Sequence, residues 1–270
     1  MIKFTRTTLF FCFFCFLIFL TKEAEAIPSV TADSAILLDA HTGEILYERS
    51  SMEARPPAST TKIVTAILGY EMGDPEEETI VSQRAGTTGE ASIHLYPGEH
   101  VTLGDLLTGA LVRSGNDACV AISEHLAGSE EFFTLWMTAK ARLLGARSSQ
   151  FFNPHGLPHK QHHSSAYDLA VVAYYAIQNP SFASTVKQKY ANLDHREGWP
   201  KEIRSTNRLL WNYPFADGIK TGTTRAAGAC LVASATKEDH HLIAVVLHSD
   251  DRVGDTMRLF EYGFAIQEGK

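Results

Sequence analysis

A serine and a lysine stand three residues apart in the stretch "PPASTTKIVTA", residues 56–66. In a helix, this spacing brings the side chains of Ser59 and Lys62 to one face. A serine hydroxyl is a weak nucleophile that needs a base, and a lysine becomes one when burial or a second cation disfavours its charged form. The pattern therefore indicates a nucleophile and its base on one turn, although a helix-capping serine followed by a solvated lysine also fits it.

A second polar island, Ser114-Gly115-Asn116, interrupts the apolar stretch "LVRSGNDACVAI". The Ser114 hydroxyl can relay a proton between a base and a leaving amine. The Asn116 amide can hold a substrate carbonyl group. A plain turn between two helices is the alternative interpretation.

A third island, Lys220-Thr221-Gly222, lies in "ADGIKTGTT", which resembles a strand. Gly222 permits the close approach of another backbone. Lys220 is the cation that would lower the pKa of Lys62 and stabilise developing negative charge, while the Thr221 hydroxyl would bind a carboxylate. An edge strand with a surface lysine is the simpler alternative.

The elements that must position these islands are strands at both ends of the chain and helices between them. An antiparallel hairpin is expected around "HTG" near the start, and a tight turn at Glu238-Asp239 near the end. The predicted helices cover 59–70, 102–128 with an interruption at 113–116, 129–145, 164–179 and 254–269, and the predicted late strands cover 216–224, 227–237 and 240–250.

This order of elements predicts an α+β fold. The N- and C-terminal segments would form one antiparallel sheet flanked by helices, beside a mostly helical middle lobe of about residues 70–200. A cleft between the sheet and the lobe is where a site is expected. Ser129 and Gly145 are expected to cap one of the helices.

The three islands occur in the order S-x-x-K, S-x-N, K-T-G, within "PPASTTKIVTA", "LVRSGNDACVAI" and "DGIKTGTTRAAGACLVASA", together with "FFNPHGLPHKQHHSSAYDLA". In these motifs the chain resembles the low-molecular-mass penicillin-binding proteins, in particular the serine-type D-alanyl-D-alanine carboxypeptidases. The resemblance extends over about residues 30–266. It implies the β-lactamase/transpeptidase-like fold.

The resemblance also implies a substrate, the peptidoglycan stem peptide ending in D-Ala-D-Ala, and covalent binding of β-lactam antibiotics. No metal or cofactor is required. By the matching positions, Ser59 would be the nucleophile, Lys62 its base and Ser114 the group that passes a proton to the departing D-alanine. The implied substrate-binding residues are Asn116, Lys220, Thr221, Gly222, Thr223 and Arg252, with the N–H groups of Ser59 and Thr223 as oxyanion hole and Lys220, Thr221 and Arg252 near the terminal carboxylate.

The first 26 residues predict a secretory signal peptide. Lys3 and Arg6 flank its start, residues 9–20 are apolar throughout, and cleavage is expected after Ala26. An uncleaved anchor is the alternative, but twelve apolar residues are short for a span of about 20. Residues 27–270 would then form a single extracytoplasmic catalytic domain, soluble after cleavage. The chain stops at Lys270, so the β-rich domain and terminal anchor of larger relatives are not expected.

The net charge and the cysteine content limit the partners and the cross-links that the sequence indicates. The formal net charge is −7 without a block of Lys and Arg, so the sequence gives no electrostatic case for nucleic acid. Cys119 and Cys230, which lie outside the leader, could form a disulfide in an exported protein, or remain two buried thiols because both lie in apolar surroundings. The oligomeric state is not indicated.

A group of histidines suggests a metal site at first sight. His155, His159, His162 and His163 lie close together in sequence. Two prolines and a glycine in "NPHGLPHK" prevent a helix from placing His155 and His159 on one face, and no H-E-x-x-H motif is present. No metal is therefore expected, and a polar loop is the simpler interpretation.

Three other functions share part of these features. A class A β-lactamase shares the first and third motifs, but it also needs a glutamate for deacylation, and "FFNPHGLPHK" has no acidic residue. A D,D-endopeptidase uses the same residues and stays open. A non-catalytic wall-binding relative would have no reason to keep Ser59, Lys62 and Ser114 together.

Overall fold

The computed structural model describes residues 26–194 and 202–268 of the chain. The predicted signal peptide lies outside these residues, apart from Ala26. Five strands form one antiparallel sheet, and two short two-stranded sheets stand apart from it. The strands are Ser34–Asp39 (β1), Ile45–Arg49 (β2), Glu78–Ile80 (β3), His100–Thr102 (β4), Tyr190–Asn192 (β5), Glu202–Arg204 (β6), Ala216–Thr224 (β7), Gly228–Lys237 (β8) and His240–Ser249 (β9).

The sheet has the strand order β2-β1-β9-β8-β7. Strand β1 pairs with β9, with Ile36 opposite Val245, so the two ends of the chain meet inside one sheet. The K-T-G strand β7 is at an edge of the sheet and pairs with β8, with Lys220 opposite Val232. The predicted α+β fold and its antiparallel sheet of terminal segments are confirmed.

Helices cover both faces of this sheet. Ser129 caps its helix through its side chain, which accepts a hydrogen bond from Phe132 N–H, and Gly145 ends the helix in the left-handed conformation, both as predicted. The helices are Lys62–Met72 (α1), Gln83–Gly86 (α2), Leu103–Thr108 (α3), Asn116–Ala127 (α4), Glu130–Leu144 (α5), Ala166–Ala176 (α6), Pro180–Val186 (α7), Leu209–Asn212 (α8) and Arg252–Glu268 (α9).

Alternation along the central strands explains why the sheet is buried on both sides. Ile36 and Val245 belong to the core shared with α1, α4 and α6, while Leu37 and Val246 belong to the core under α9. Strands with two buried faces read as continuous apolar runs, as "AILL" and "LIAVVL" do. The sheet is therefore a fixed platform for the residues on its edge strand β7.

Within residues 26–194 and 202–268, no helix has the length and apolar character needed to span a membrane. Cys119 and Cys230 are both buried and free, so of the two interpretations of this pair the unpaired one holds. Burial raises the pKa of each thiol to about 11.

Candidate active site

Ser59 lies on a turn of 3₁₀-helix, Ala58–Thr61, directly ahead of α1. The sequence predicts an α-helix from Ser59, and the difference has a local cause. The amide and the hydroxyl of Thr60 both donate to the Pro57 carbonyl, which closes a tighter i→i+3 turn. Lys62 is the first residue of α1, and its Nζ atom lies 3.0 Å from Ser59 Oγ. The predicted pairing of serine and lysine on one turn is present.

The Lys62 ammonium is held by three acceptors inside the protein. Besides Ser59 Oγ, its Nζ atom donates to Asn116 Oδ1 and to the main-chain carbonyl of His155, each at 2.8 Å. The side chain is fully buried. Burial lowers the pKa of Lys62 to about 8, against the partial compensation of nearby negative groups. An amine with this pKa exchanges its proton readily near neutral pH.

Ser114 occupies the bend that the sequence placed between two helices. It follows a π-helical turn, Gly109–Arg113, and adopts the left-handed conformation with φ of 71°. Lys220 Nζ donates to Ser114 Oγ and to the Thr221 carbonyl, at 3.0 Å each. Ser114 therefore faces the K-T-G strand, and its hydroxyl points into the site rather than to solvent.

Burial is the main control on the protonation of both lysines. The pKa of Lys220 is well below the ordinary value, first because the side chain is buried and second because the charge of Lys62 repels its own. For Lys62, burial is the cause of the depression. Each lysine contacts its own serine, and repulsion between two ammonium groups disfavours the charge on both, so the lowering of the Lys62 pKa by Lys220 stays a prediction.

Gly222 is where the edge strand meets the serine turn. A Cβ atom at this position would lie 2.8 Å from Ser59 N and 3.1 Å from the Pro57 carbonyl oxygen, so a larger residue would push the strand and the turn apart. Arg252 donates to the Gly222 carbonyl at 2.9 Å and to Thr223 Oγ1 at 2.7 Å. The structure thus places Gly222, Thr223 and Arg252 beside the nucleophile.

Thr221 takes a different position from its neighbour Thr223. Its side chain is buried, and its hydroxyl lies 2.8 Å from Thr206 Oγ1. Thr223 is exposed to the cleft and contacts Arg252. Contact between Thr221 and a substrate carboxylate stays a prediction, and Thr206, which the sequence did not indicate, lies between Thr221 and the adjoining cleft.

A loop that the sequence marked only as polar forms one wall of the site. The His155 carbonyl accepts from Lys62, and Gly156 packs so closely on the serine turn that a Cβ atom there would lie 1.8 Å from the Ala58 carbonyl oxygen. His162 braces the same turn, with Nε2 at 2.9 Å from Thr61 Oγ1. Main-chain acceptors carry no residue-type signal, so sequence reasoning missed the role of this loop.

The histidines of this loop serve as packing and hydrogen-bonding groups. His162 Nδ1 accepts from Phe152 N–H at 3.1 Å, and burial lowers the pKa of its ring to about 3. The ring of His155 lies 3.5 Å from the carboxylate of Glu130. In the part of the chain that the structure describes, no group of three or more His, Cys, Asp or Glu side chains is arranged to hold a metal ion.

Comparison with known proteins now gives the family. Residues 21–251 match the family described as D-alanyl-D-alanine carboxypeptidase. The chain belongs to the D-alanyl-D-alanine carboxypeptidase family. The resemblance stated from the three motifs is therefore confirmed.

Relatives of known name agree with this assignment. The chain is 37% identical to the D-alanyl-D-alanine carboxypeptidase DacF of Bacillus subtilis, over 88% of this chain and 63% of the relative. It is 36% identical to DacC of Escherichia coli, over 89% of this chain and 63% of that relative. The chain thus spans less than two thirds of the length of these relatives.

Solved structures of the family superpose on the fold. A D-alanyl-D-alanine carboxypeptidase from Mycobacterium tuberculosis matches with a TM-score of 0.85 and 30% identity, over 90% of this chain and 95% of that one. Penicillin binding protein 5 from Haemophilus influenzae matches with a TM-score of 0.83 and 29% identity, over 90% of this chain and 73% of that one. The fold of the chain is therefore that of these solved penicillin-binding proteins.

Proposed function

We propose that this chain is a serine-type D-alanyl-D-alanine carboxypeptidase that removes the terminal D-alanine from peptidoglycan stem pentapeptides through an acyl-enzyme. One observation carries the proposal: a fully buried Lys62, with a pKa of about 8, lies 3.0 Å from the hydroxyl of Ser59. Proton removal from serine is what makes this hydroxyl a competent nucleophile. The family supplies the substrate class.

Acylation starts at Ser59. The neutral fraction of Lys62 takes the hydroxyl proton while Ser59 Oγ attacks the carbonyl carbon between the two D-alanines. Asn116 and the His155 carbonyl hold the Lys62 amine in place at 2.8 Å each. Both acceptors are buried, so they keep the amine oriented toward the Ser59 hydroxyl in its charged and in its uncharged state.

Proton delivery to the departing D-alanine falls to Ser114. Its hydroxyl is buried, and Lys220 Nζ donates a hydrogen bond to it at 3.0 Å, which favours release of its proton. Water then splits the ester between Ser59 and the penultimate D-alanine, and the same groups return the proton. The bend at Ser114 fixes the direction of this hydroxyl.

Two sets of groups would bind charge on the substrate. The N–H groups of Ser59 and Thr223 would form the oxyanion hole, which the close approach at Gly222 supports because it brings the serine turn and β7 side by side. The terminal carboxylate would meet Thr223, Thr221 and Arg252. The contact of Arg252 with Thr223 at 2.7 Å supports this part of the proposal.

The partners and location follow from the same proposal. β-Lactam antibiotics resemble the acyl-D-Ala-D-Ala end and would acylate Ser59. The leader pattern of residues 1–26 and the catalytic domain over 27–270 stay predictions, as does an extracytoplasmic location. Two measurements address them: the N-terminal sequence of the mature protein and its distribution between cell fractions.

The deciding experiment is mass spectrometry of the intact protein with penicillin, comparing wild type with Ser59→Ala. We expect one adduct on the wild type, none on Ser59→Ala, and one on Ser92→Ala, a matched serine variant outside the catalytic set. Release of D-alanine from a pentapeptide should follow the same order. A chromogenic β-lactam distinguishes a carboxypeptidase from a β-lactamase. Stoichiometric labelling supports the carboxypeptidase, and rapid turnover would contradict it.

A further inference from the structure

Helix α5 is apolar on its exposed side as well as on its buried side. Phe133, Met137 and Ala141 face the core, as expected for a helix that packs against a domain. On the opposite side, a second row of apolar residues recurs every three or four positions and is left exposed. We call this row the α5 stripe, and its members are Phe132, Leu135, Trp136, Ala139 and Leu143.

The α5 stripe is continuous along most of the helix. Leu135 is 62% exposed and Leu143 is 84% exposed. From Phe132 to Leu143 the stripe extends over about three turns, or about 16 Å of helix. Single exposed apolar side chains are ordinary on a protein surface, whereas a contiguous row of them marks a surface that binds a partner or a membrane. The stripe is therefore a candidate interface.

Two residues of opposite charge border the stripe, one near each end of the helix. Glu131 is in the first turn of α5 and Arg142 is in the last turn. Their separation is close to three whole turns, so both side chains lie along the same edge of the stripe. Both are exposed, and within the stretches 26–194 and 202–268 neither of them forms an ion pair.

The apolar part of the stripe is complementary to a reversed copy of itself. When two α5 helices pack antiparallel about a two-fold axis at the level of Met137, Phe132 of each copy lies opposite Leu143 of the other. Leu135 of each copy then lies opposite Ala139 of the other, so a large side chain meets a small one. Both kinds of contact occur in one register, as an interface between identical helices requires.

The charges at the edge of the stripe favour a second copy over a membrane. The two-fold axis brings the same edge of both helices together, so Glu131 of each copy lies opposite Arg142 of the other, in a register within about one residue of the apolar contacts. An anionic membrane surface would instead favour a basic border along the apolar stripe. Here one end of the border is a carboxylate, in a chain of net charge −7.

We propose that this chain forms a two-fold symmetric homodimer through the α5 stripe, with two equivalent ion pairs between Glu131 of one copy and Arg142 of the other. One helix offers less contact than the roughly 800 Å² per partner that a standard interface buries. The dimer should therefore be reversible, with a Kd of about 10 μM. No residue of the stripe belongs to the proposed catalytic set, so a monomeric variant should still be acylated by penicillin.

The test is sedimentation velocity of the full mature chain from about 1 to 200 μM, a range that brackets the expected Kd. Leu135→Gln removes the centre of the stripe and should raise the Kd about tenfold or more. Ile80→Gln is the matched control, because Ile80 on β3 is also 62% exposed but lies outside the stripe, and it should keep the wild-type Kd. Cooperative thermal unfolding shows that each variant folds, independently of any enzymatic activity.

Charge reversal identifies the partner as a second copy. Glu131→Arg and Arg142→Glu each place like charges at both symmetric contacts, so each should raise the Kd about tenfold. The variant that carries both changes restores opposite charges and should return to within about threefold of the wild-type Kd. Absence of this rescue overturns the proposal, and so does a dimer that Leu135→Gln leaves unchanged. A wild type that stays monomeric at about 200 μM also overturns it, whether or not the protein binds phosphatidylglycerol vesicles.

Discussion

The protonation of Lys62 should set how the acylation rate depends on pH. If this lysine is the base, the rate follows its neutral fraction. With a pKa of about 8, that fraction is about 10% at pH 7 and about 90% at pH 9, so acylation should rise roughly tenfold and then level off. A lysine with the ordinary pKa of 10.5 would instead give a rise of roughly a hundredfold over this range, without a plateau.

The variant Asn116→Asp moves this profile in a known direction. It replaces the amide oxygen 2.8 Å from Lys62 Nζ by a carboxylate. An opposite charge at this distance raises a lysine pKa by about one unit or more. The neutral fraction at pH 7 would then fall about tenfold or more, while the rate at the plateau, reached at a higher pH, should change much less. Asn212→Asp, at an exposed site, is the matched control.

The assay is stopped-flow acylation by a fluorescent penicillin from pH 6 to pH 10, with the stability of the reagent measured separately. We expect a midpoint near pH 8 for wild type and for Asn212→Asp, and a higher midpoint for Asn116→Asp. A wild-type rate that is independent of pH between 7 and 9, or an equal loss in Asn116→Asp at every pH, would refute the assignment of Lys62 as the base.

Three further predictions concern the wall of the site and the thiols. Gly156→Ala should destabilise the protein and abolish penicillin labelling, because its Cβ would lie 1.8 Å from the Ala58 oxygen, whereas Gly43→Ala, at a similar positive φ with open space, should cost only about 1–2 kcal/mol and label normally. Burial lowers the pKa of the His162 ring from 6.5 to about 3, so the unfolded chain binds a proton there at a higher pH than the folded protein does. The free energy of unfolding therefore falls as the pH drops below about 6.5. Urea unfolding should show about 2 kcal/mol of this loss between pH 7 and pH 5, absent in His162→Gln and kept in His163→Gln. Both buried thiols should resist alkylation at pH 8 in the folded protein and react after unfolding, as mass spectrometry can check.

Local and periodic features of the site could be predicted from the sequence. The contact between Ser59 and Lys62 depends only on helical spacing, and the pairing of the terminal segments depends on apolar runs of strand length. The 3₁₀ turn at Ser59 was not predicted, because it depends on hydrogen bonds of Thr60 to the Pro57 carbonyl rather than on residue pattern.

Features that depend on distant backbone contacts could not be predicted. The carbonyl of His155 holds Lys62 from 93 positions along the chain, and any residue type offers the same carbonyl. Arg113 and Arg204 line one cleft because the segment after β6 is held to the turn before Ser114 by the hydrogen bond from Thr206 N–H to the Val112 carbonyl, which the sequence does not indicate. Which serine each lysine contacts is likewise set by the tertiary structure.

The position of β9 in the middle of the sheet has a consequence for folding during synthesis. It is the last strand to leave the ribosome, yet it joins the β1–β2 hairpin to the β7–β8 hairpin. Two partial sheets with exposed apolar edges must therefore wait until nearly the whole chain is available, and contacts so far apart in sequence close slowly. Lys220 of β7 contacts Ser114 only after β9 has been inserted into the sheet. An incomplete chain therefore has an unassembled, inactive active site.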